Sequence, residues 1–190
     1  MRLSMQQYPI WNLRHPDGYD SLEEVLLKNR ALNEEDLSDS PSILQDPYLM
    51  KDMDEAISRI VQAVRKQERI VVFGDYDADG VTSTAVLLDF LDRVEADAIS
   101  ILPHRFKDGY GMKSLGVERA LQMGAQLIIT ADNGISSFEA VDLANSVGVD
   151  VIVIDHHHPQ ERLPKALALV NPNRKNCTYP FKGLAAVGLV

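Results

Sequence analysis

Short apolar runs that alternate with longer amphipathic stretches constrain this chain more than any other feature of its sequence. The runs are rich in Val and Ile, and each is followed by a segment long enough for a helix. This alternation is typical of βαβ units, whose parallel strands are buried on both faces. We therefore predict an α/β fold, an open parallel sheet with helices on both faces. The predicted strands are Ile70–Phe73, Ala98–Leu102, Leu127–Thr130, Val151–Ile154 and Ala168–Val170.

The segment before the first strand has the clearest helical pattern. Its apolar residues Ile57, Ile60, Val61 and Val64 recur at the spacing of one helix face. Similar stretches follow the later strands. The predicted helices of this region are Asp52–Lys66, Val81–Val94, Lys113–Met123 and Ser136–Ser146.

The first 50 residues differ from the rest, because they contain scattered prolines and an acidic stretch over residues 33–39. One helix is predicted over Ser21–Arg30, with Ser21 as the N-cap and Glu24 as its capping-box partner. We predict that residues 1–50 form a helical N-terminal arm packed on a main lobe of residues 51–190.

The charge and cysteine content exclude several classes of protein. The formal net charge of −9 argues against a non-specific nucleic-acid coat, which would carry a basic stripe. It leaves room for an enzyme whose carboxylates hold metal ions. The single cysteine, Cys177, allows neither an intrachain disulfide nor a multi-cysteine zinc site. No apolar run suits a signal peptide or a membrane span, so we predict a cytoplasmic protein.

Polar side chains collect directly after the predicted strands. In an open α/β sheet the carboxyl ends of the strands line one crevice, where ligands bind. We therefore expect these side chains to meet at one edge of the sheet. They are Asp75, Asp77 and Asp79 after the first strand, His104 and Arg105 after the second, Asp132 and Asn133 after the third, and Asp155, His156, His157 and His158 after the fourth.

The aspartate motif resembles other ligand-binding loops only superficially. Asp75 to Gly80 has the spacing of an EF-hand loop, but position twelve is Val86 instead of glutamate and the preceding segment is a strand. The phosphate-binding loop of nucleotide hydrolases is excluded because no Gly-Lys-Ser/Thr follows Gly74. The G-x-G-x-x-G dinucleotide motif is also absent.

The remaining interpretation is a metal site built from carboxylates and imidazoles. So many ligands suit two divalent ions about 3.5–4 Å apart, the usual arrangement for phosphodiester hydrolysis. Oxygen and imidazole ligands favour Mn²⁺ or Mg²⁺, with zinc less favoured. Arg105 could pair with a phosphate, and the helix opened by Gly80 could favour an anion through its amides. The hydroxyls of Thr82, Ser83 and Thr84 could equally be helix caps. His104 could be a histidine at the edge of the core, and His158 an ordinary loop residue.

Four stretches carry a resemblance to a known family: GDYDADG, HRFKDGYG, TADNGIS and DHHHP, in that order. Together they resemble the DHH phosphoesterase superfamily, and within it the single-stranded-DNA exonucleases. The resemblance implies a 5′-to-3′ exonuclease of recombination and repair that uses two Mn²⁺ or Mg²⁺ ions. It implies single-stranded DNA as substrate, with a single-stranded-DNA-binding protein and a helicase as partners.

The resemblance also implies roles for individual residues. The implied catalytic residues are Asp132, His156, His157 and Arg105. The implied metal ligands are Asp75, Asp77, Asp79, Asp132, Asp155 and His156. The predicted substrate-binding residues are His104, Arg105, His157 and Ser83, of which the resemblance implies His157 and the residue types suggest the others.

Two alternative functions stay open. One is a DHH phosphodiesterase or pyrophosphatase for small substrates, although Phe73 stands where those enzymes have a histidine. The other is a non-catalytic scaffold in repair or replication. Because the superfamily's exonucleases are much longer, we expect this chain to be an N-terminal fragment, with little activity alone.

Overall fold

The computed structural model describes residues 21–30 and 45–190, and the chain divides into two compact units, Met1–Leu44 and Gln45–Val190. In the first unit, helix α1 spans Leu22–Arg30, and Ser21 Oγ accepts a hydrogen bond from the Glu24 amide at 3.1 Å. The predicted cap is therefore present. The acidic stretch over residues 33–39 lies outside the described residues.

The second unit contains one five-stranded parallel sheet, which confirms the predicted fold class. The strand order is β2-β1-β3-β4-β5. Strand β2 is therefore added on one side of β1, and β3, β4 and β5 are added in turn on the other side. The point between β1 and β3 is the topological switch, where ligands of such folds bind. The strands are β1 (Ile70–Phe73), β2 (Ala98–Ile101), β3 (Leu127–Ala131), β4 (Asp150–Ile154) and β5 (Ala168–Val170).

Helices cover both faces of the sheet. Because side chains of a strand alternate between faces, Ile70 and Val72 pack on one side and Val71 and Phe73 on the other. The first side carries α2 (Met53–Lys66), α3 (Ala78–Arg93) and α6 (Ala186–Leu189), and the second carries α4 (Ser114–Gln122) and α5 (Phe138–Ser146). A short 3₁₀ turn, Pro47–Leu49, precedes α2.

Helix α3 begins at Ala78, earlier than the predicted Val81, because Asp77 acts as its N-cap. Asp77 Oδ1 accepts a hydrogen bond from the Gly80 amide at 2.9 Å. Gly80 itself packs against Asp75, since a Cβ at position 80 would lie 2.6 Å from the Asp75 Cβ. The glycine therefore lets the helix start beside the end of β1.

The outer edge of β5 is covered by a charged pair. The Leu169 amide donates to Asp52 Oδ2, and Arg174 donates both to the Leu169 carbonyl and to Asp52. An open strand edge is a site for unwanted pairing, so this arrangement protects the sheet and fixes the start of α2.

In the described ranges, no helix combines the length and apolar character needed to cross a membrane.

Candidate metal centre

Three buried carboxylates lie at the carboxyl ends of the central strands. Asp75 follows β1, Asp132 directly follows β3 and Asp155 directly follows β4, and each is 1% exposed. Asp75 and Asp132 flank the switch point between β1 and β3. The sheet topology therefore brings together residues that are far apart in the sequence, as predicted.

Asp132 has the most unusual environment of the three. Its backbone is left-handed, with φ 68°, and its amide donates to the Ile154 carbonyl at 3.0 Å. Its Oδ1 is buried and has no hydrogen-bond partner among the described residues. Burial, followed by the charges of Asp79 and Asp77, raises the pKa of Asp132 to about 7. Backbone strain and an unpaired oxygen at one residue are typical of a functional position.

Asp75 and Asp77 complete a group of three carboxylates with Asp132, whose ligand atoms lie within 4.8 Å of one another. Asp75 Oδ1 accepts a hydrogen bond from the Tyr76 amide at 2.8 Å. Burial raises the pKa of Asp75, and the charge of Asp77 adds to this effect. Three carboxylates at this separation repel one another unless a cation or protons lie between them.

His156 presents a nitrogen to the same cluster. Its Nδ1 lies 3.0 Å from the Leu184 carbonyl oxygen, which can only accept, so Nδ1 carries the proton. In the neutral ring the Nε2 lone pair then points toward the carboxylates. Nε2 lies 3.2 Å from Asp132 Oδ1 and 3.5 Å from Asp79 Oδ2. This is the tautomer of a metal-binding histidine, oriented by a backbone carbonyl behind it.

Asp79 and Asp155 are also at this edge, but backbone amides occupy their oxygens. Asp79 accepts from the amides of Ala186 at 2.7 Å and Val187 at 3.0 Å, at the start of α6. Asp155 accepts from the amides of Ile135 at 2.9 Å and His157 at 3.0 Å. Both oxygens of Asp79 and Oδ2 of Asp155 keep a further lone pair, whereas Asp155 Oδ1 also contacts His157 Nδ1. Their predicted role as metal ligands stays a prediction.

His157 lies between Asp155 and an aromatic side chain. Its Nδ1 is 2.7 Å from Asp155 Oδ1, and the Tyr110 hydroxyl lies 3.1 Å from its Nε2. The hydrogen bond to Asp155 raises the pKa of His157 despite partial burial. Tyr110 lies between Gly109 and Gly111, whose φ angles of 75° and 72° favour glycine. A second possible metal group is formed by Asp132, His156 and His157.

The predicted substrate-binding residues have mixed surroundings. Arg105 is exposed, and its guanidinium lies 5.4 Å from the ring centroid of Tyr76, beside the carboxylates. His104 is exposed, but its Nδ1 accepts from the Phe106 amide and so stabilises its own loop. Ser83 is fully buried, and its hydroxyl donates to the Asp79 carbonyl at 2.6 Å. This placement gives no support to a substrate contact by Ser83.

Sequence reasoning missed three residues that hold the histidines. Tyr110 is one, and the others are Asn171 and Asn173, whose side-chain amides donate to the carbonyls of His157 and His156. Both asparagines follow β5. The rule that located the other clusters would have found them if it had been applied to the fifth strand.

The residues present fit divalent cations. The donors are carboxylate oxygens and an imidazole nitrogen, which suit Mn²⁺ or Mg²⁺. Among the ion pairs of the described residues, none joins a lysine or arginine to these aspartates. The orphaned Asp132 Oδ1 and the lone pair of His156 Nε2 face each other, an arrangement that a cation would stabilise.

Fold and site together define a class: a doubly wound α/β domain whose switch point carries a carboxylate–histidine group suited to metal ions. The chain belongs to the DHH family, because residues 69–190 match the family described as "DHH family, N-terminal domain". The family resemblance predicted from the four motifs is therefore confirmed.

Three similar proteins sharpen this assignment. The single-stranded-DNA-specific exonuclease RecJ of Bacillus subtilis is 47% identical over 76% of this chain and 18% of its own length. RecJ of Haemophilus influenzae is 36% identical over 98% of this chain and 32% of its own length. A crystal structure of exonuclease RecJ bound to manganese matches with a TM-score of 0.67 and 34% identity, covering 77% of this chain and 38% of that one. The chain thus spans about a third or less of the curated relatives.

Proposed function

We propose that this chain is the catalytic lobe of a metal-dependent exonuclease that hydrolyses phosphodiester bonds in single-stranded DNA from the 5′ end. The observation that carries the proposal is the buried, unpaired Asp132 Oδ1 opposite the free nitrogen of His156. The similarity to RecJ exonucleases, one of them bound to manganese, supports this reading over a scaffold without activity.

The proposed metal ligands are the residues whose donor atoms converge at the switch point. Asp75, Asp77, Asp132 and His156 would hold two Mn²⁺ or Mg²⁺ ions, with Asp79 and Asp155 binding through their remaining lone pairs. When bound, such ions supply Lewis acidity toward phosphoryl oxygens and a nucleophile at neutral pH.

The protein side chains around the ions would bind and orient the substrate. Arg105, beside Tyr76, would pair with a phosphate of the DNA backbone. His157, fixed by Asp155 and Tyr110, would contact the scissile phosphate. His104, in the same exposed loop as Arg105, would add a further substrate contact. Ser83 is left out of the proposed substrate contacts because it is buried.

The finer biological setting is also a proposal. The RecJ resemblance suggests a role in recombination and repair in the cytoplasm, with a single-stranded-DNA-binding protein and a helicase as partners. A pull-down with each purified partner, in the presence and absence of DNA, tests these associations. No binding of either partner would remove this part of the proposal.

The test of activity uses 5′-labelled single-stranded DNA, a dinucleotide and pyrophosphate as parallel substrates, with protein in excess and Mn²⁺ added. We expect release of labelled nucleotide from the DNA only, and its loss in Asp132→Asn. Asp89→Asn, which removes a charge on the exposed surface of α3, should retain the activity. Hydrolysis of pyrophosphate alone would favour the small-substrate alternative, and an active Asp132→Asn would contradict the metal assignment.

A further inference from the structure

The side chain of Asn133 links the ends of two strands at the metal centre. Its Nδ2 donates to the Phe73 carbonyl at 3.1 Å and to the Ala131 carbonyl at 3.0 Å. Because both acceptors are carbonyl oxygens, the orientation of the amide is fixed by chemistry. Asn133 is completely buried, so these bonds form in a low-dielectric environment where they are strong.

This link replaces a backbone connection that the sheet lacks at this point. Strands β1 and β3 pair up to Phe73 and Thr130. Successive amides of a central strand point alternately to its two neighbours, so Gly74 donates to Ile101 of β2 and Asp132 donates to Ile154 of β4. The Asp75 amide, which would next point from β1 toward β3, makes no backbone hydrogen bond to β3 among the described residues. The Asn133 amide therefore acts as a further rung between β1 and β3.

The rung lies between two of the three buried carboxylates of the centre. Phe73 is two residues before Asp75, and Asn133 directly follows Asp132. Asp75 and Asp132 are both 1% exposed and repel each other when ionised. A fixed connection between their backbones sets the separation of their oxygens against this repulsion.

The loop after β3 has other anchors that do not set this separation. The Thr130 hydroxyl donates to the Asn133 carbonyl at 2.6 Å, and the Ile135 amide donates to Asp155. These bonds hold the loop to itself and to β4. In the described part of the chain, the bond from Asn133 Nδ2 to the Phe73 carbonyl is the one hydrogen bond of this loop that reaches β1.

We propose that Asn133 is a positioning residue that holds Asp75 and Asp132 at the separation a divalent cation requires. The inference rests on the proposed metal function. Asn133 itself is not one of the proposed metal ligands. Outer partners of metal ligands typically change metal affinity by 10–100-fold when they are removed.

The test measures Mn²⁺ binding by isothermal titration calorimetry on the whole chain, with folding followed by circular dichroism. Asn133→Ala should bind Mn²⁺ roughly 10–100-fold more weakly than the unmodified chain at a temperature where both are folded. Ile128→Val shortens a buried side chain of the same strand. It should lower the melting temperature and leave the Mn²⁺ affinity within about threefold. If Asn133→Ala does not fold, Asn133→Leu, which has a similar size and removes the donor, is judged by the same criterion.

The outcomes separate this inference from the proposed function. Equal Mn²⁺ affinity in the folded variant and the unmodified chain would overturn the role of Asn133 alone. An unmodified chain that binds no Mn²⁺ would overturn both. A loss of affinity no larger than that of Ile128→Val would show that Asn133 acts only on stability.

Discussion

The carboxylates at the two ends of the sheet have opposite surroundings. At the amino ends of the strands, arginines pair with the acidic residues. Arg59 Nε lies 2.6 Å from Asp150 and its Nη2 lies 2.7 Å from Glu68, while Arg69 lies 2.6 Å from Asp97. At the carboxyl ends, aspartates face one another and two histidines, without such pairs in the described residues.

The pKa directions follow this contrast. At the amino end, burial opposes the charge of Arg59, but its bonds to Asp150 and Glu68 outweigh burial and raise the pKa of its guanidinium. At the carboxyl end, burial raises the pKa of Asp75 and Asp132, and neighbouring carboxylates raise it further.

The difference indicates that the charged residues at the amino end stabilise the fold and that those at the carboxyl end are suited to binding metal. The amino end is balanced by its own residues and holds α2 to the sheet. The carboxyl end has excess negative charge, which destabilises the metal-free protein and favours bound cations. Removing a charge at the carboxyl end should therefore raise the stability of the metal-free protein and lower its metal affinity. Removing a charge at the amino end should lower the stability and leave the metal affinity unchanged.

The largest effect is expected from Asp132→Asn at the carboxyl end. Because a ligand is lost, Mn²⁺ affinity should fall at least about 100-fold. The free energy of unfolding of the metal-free chain should rise by about 0.5–2 kcal/mol, since a buried like charge is removed and asparagine tolerates the left-handed backbone. Calorimetric titration and urea unfolding with a chelator, in mildly alkaline buffer where Asp132 is ionised, measure the two quantities.

Asp89→Asn is the matched control, because it also removes one negative charge but lies on the exposed surface of α3. Neither its stability nor its Mn²⁺ affinity should change appreciably. A less stable Asp132→Asn, or one with unchanged Mn²⁺ affinity, would contradict the contrast between the two ends.

The second effect is expected from Arg59→Met at the amino end. Glu68, in a nearly buried position, would keep only the more distant Lys66 at 3.9 Å, so the free energy of unfolding should fall by roughly 3 kcal/mol. The loss is limited because the side chain of Asp150 is 43% exposed and can be solvated. Mn²⁺ affinity should stay within about twofold. Urea unfolding and titration on the same sample check both, and a large loss of metal affinity would show that the two ends are coupled.

A third effect concerns the pair at the edge of β5. Burial alone would raise the pKa of Asp52, but the hydrogen bond and charge of Arg174 outweigh it and lower the pKa below 3.8. Stability from this pair is therefore present above pH 3.8 and is lost as the pH falls through the lowered pKa. Asp52→Asn should cost about 1–2 kcal/mol at neutral pH, because Arg174 loses its counter-charge. Urea unfolding across a pH series should show this difference closing in acid. A constant difference down to the lowest pH would contradict it.

The fold was predictable because buried parallel strands leave a strong pattern. The strands β1 and β5 have the predicted bounds, and the others differ at their ends by one residue. The start of α3 was predicted three residues late, since Asp77 was interpreted as a ligand and its capping of the helix was overlooked. The spacing of an aspartate in the sequence does not show whether it caps a helix, binds a metal or does both.

The site was predictable in location more than in detail. Strand ends converge by topology, so the meeting of Asp75, Asp132 and Asp155 follows from the sequence. The hydrogen bonds from the amides of α6 to Asp79 depend on a contact across 107 residues, which no local pattern encodes. The burial of Ser83 follows from the face that α3 turns to the sheet, and the hydroxyl gives no signal of this.

The smallest effect is expected from Tyr110→Phe, which separates the orientation of a histidine from the binding of metal. The variant keeps the ring against His157, with centroids 5.7 Å apart, and removes only the hydroxyl that contacts the imidazole nitrogens. Loss of one such hydrogen bond, about 0.5–1.5 kcal/mol, should lower the Mn²⁺-dependent release of nucleotide by roughly 2–10-fold. Mn²⁺ affinity should not change, because Tyr110 contacts His157 and not the three carboxylates. An unchanged rate would mean that Asp155 alone orients His157, and a parallel loss of Mn²⁺ affinity would place His157 among the metal ligands.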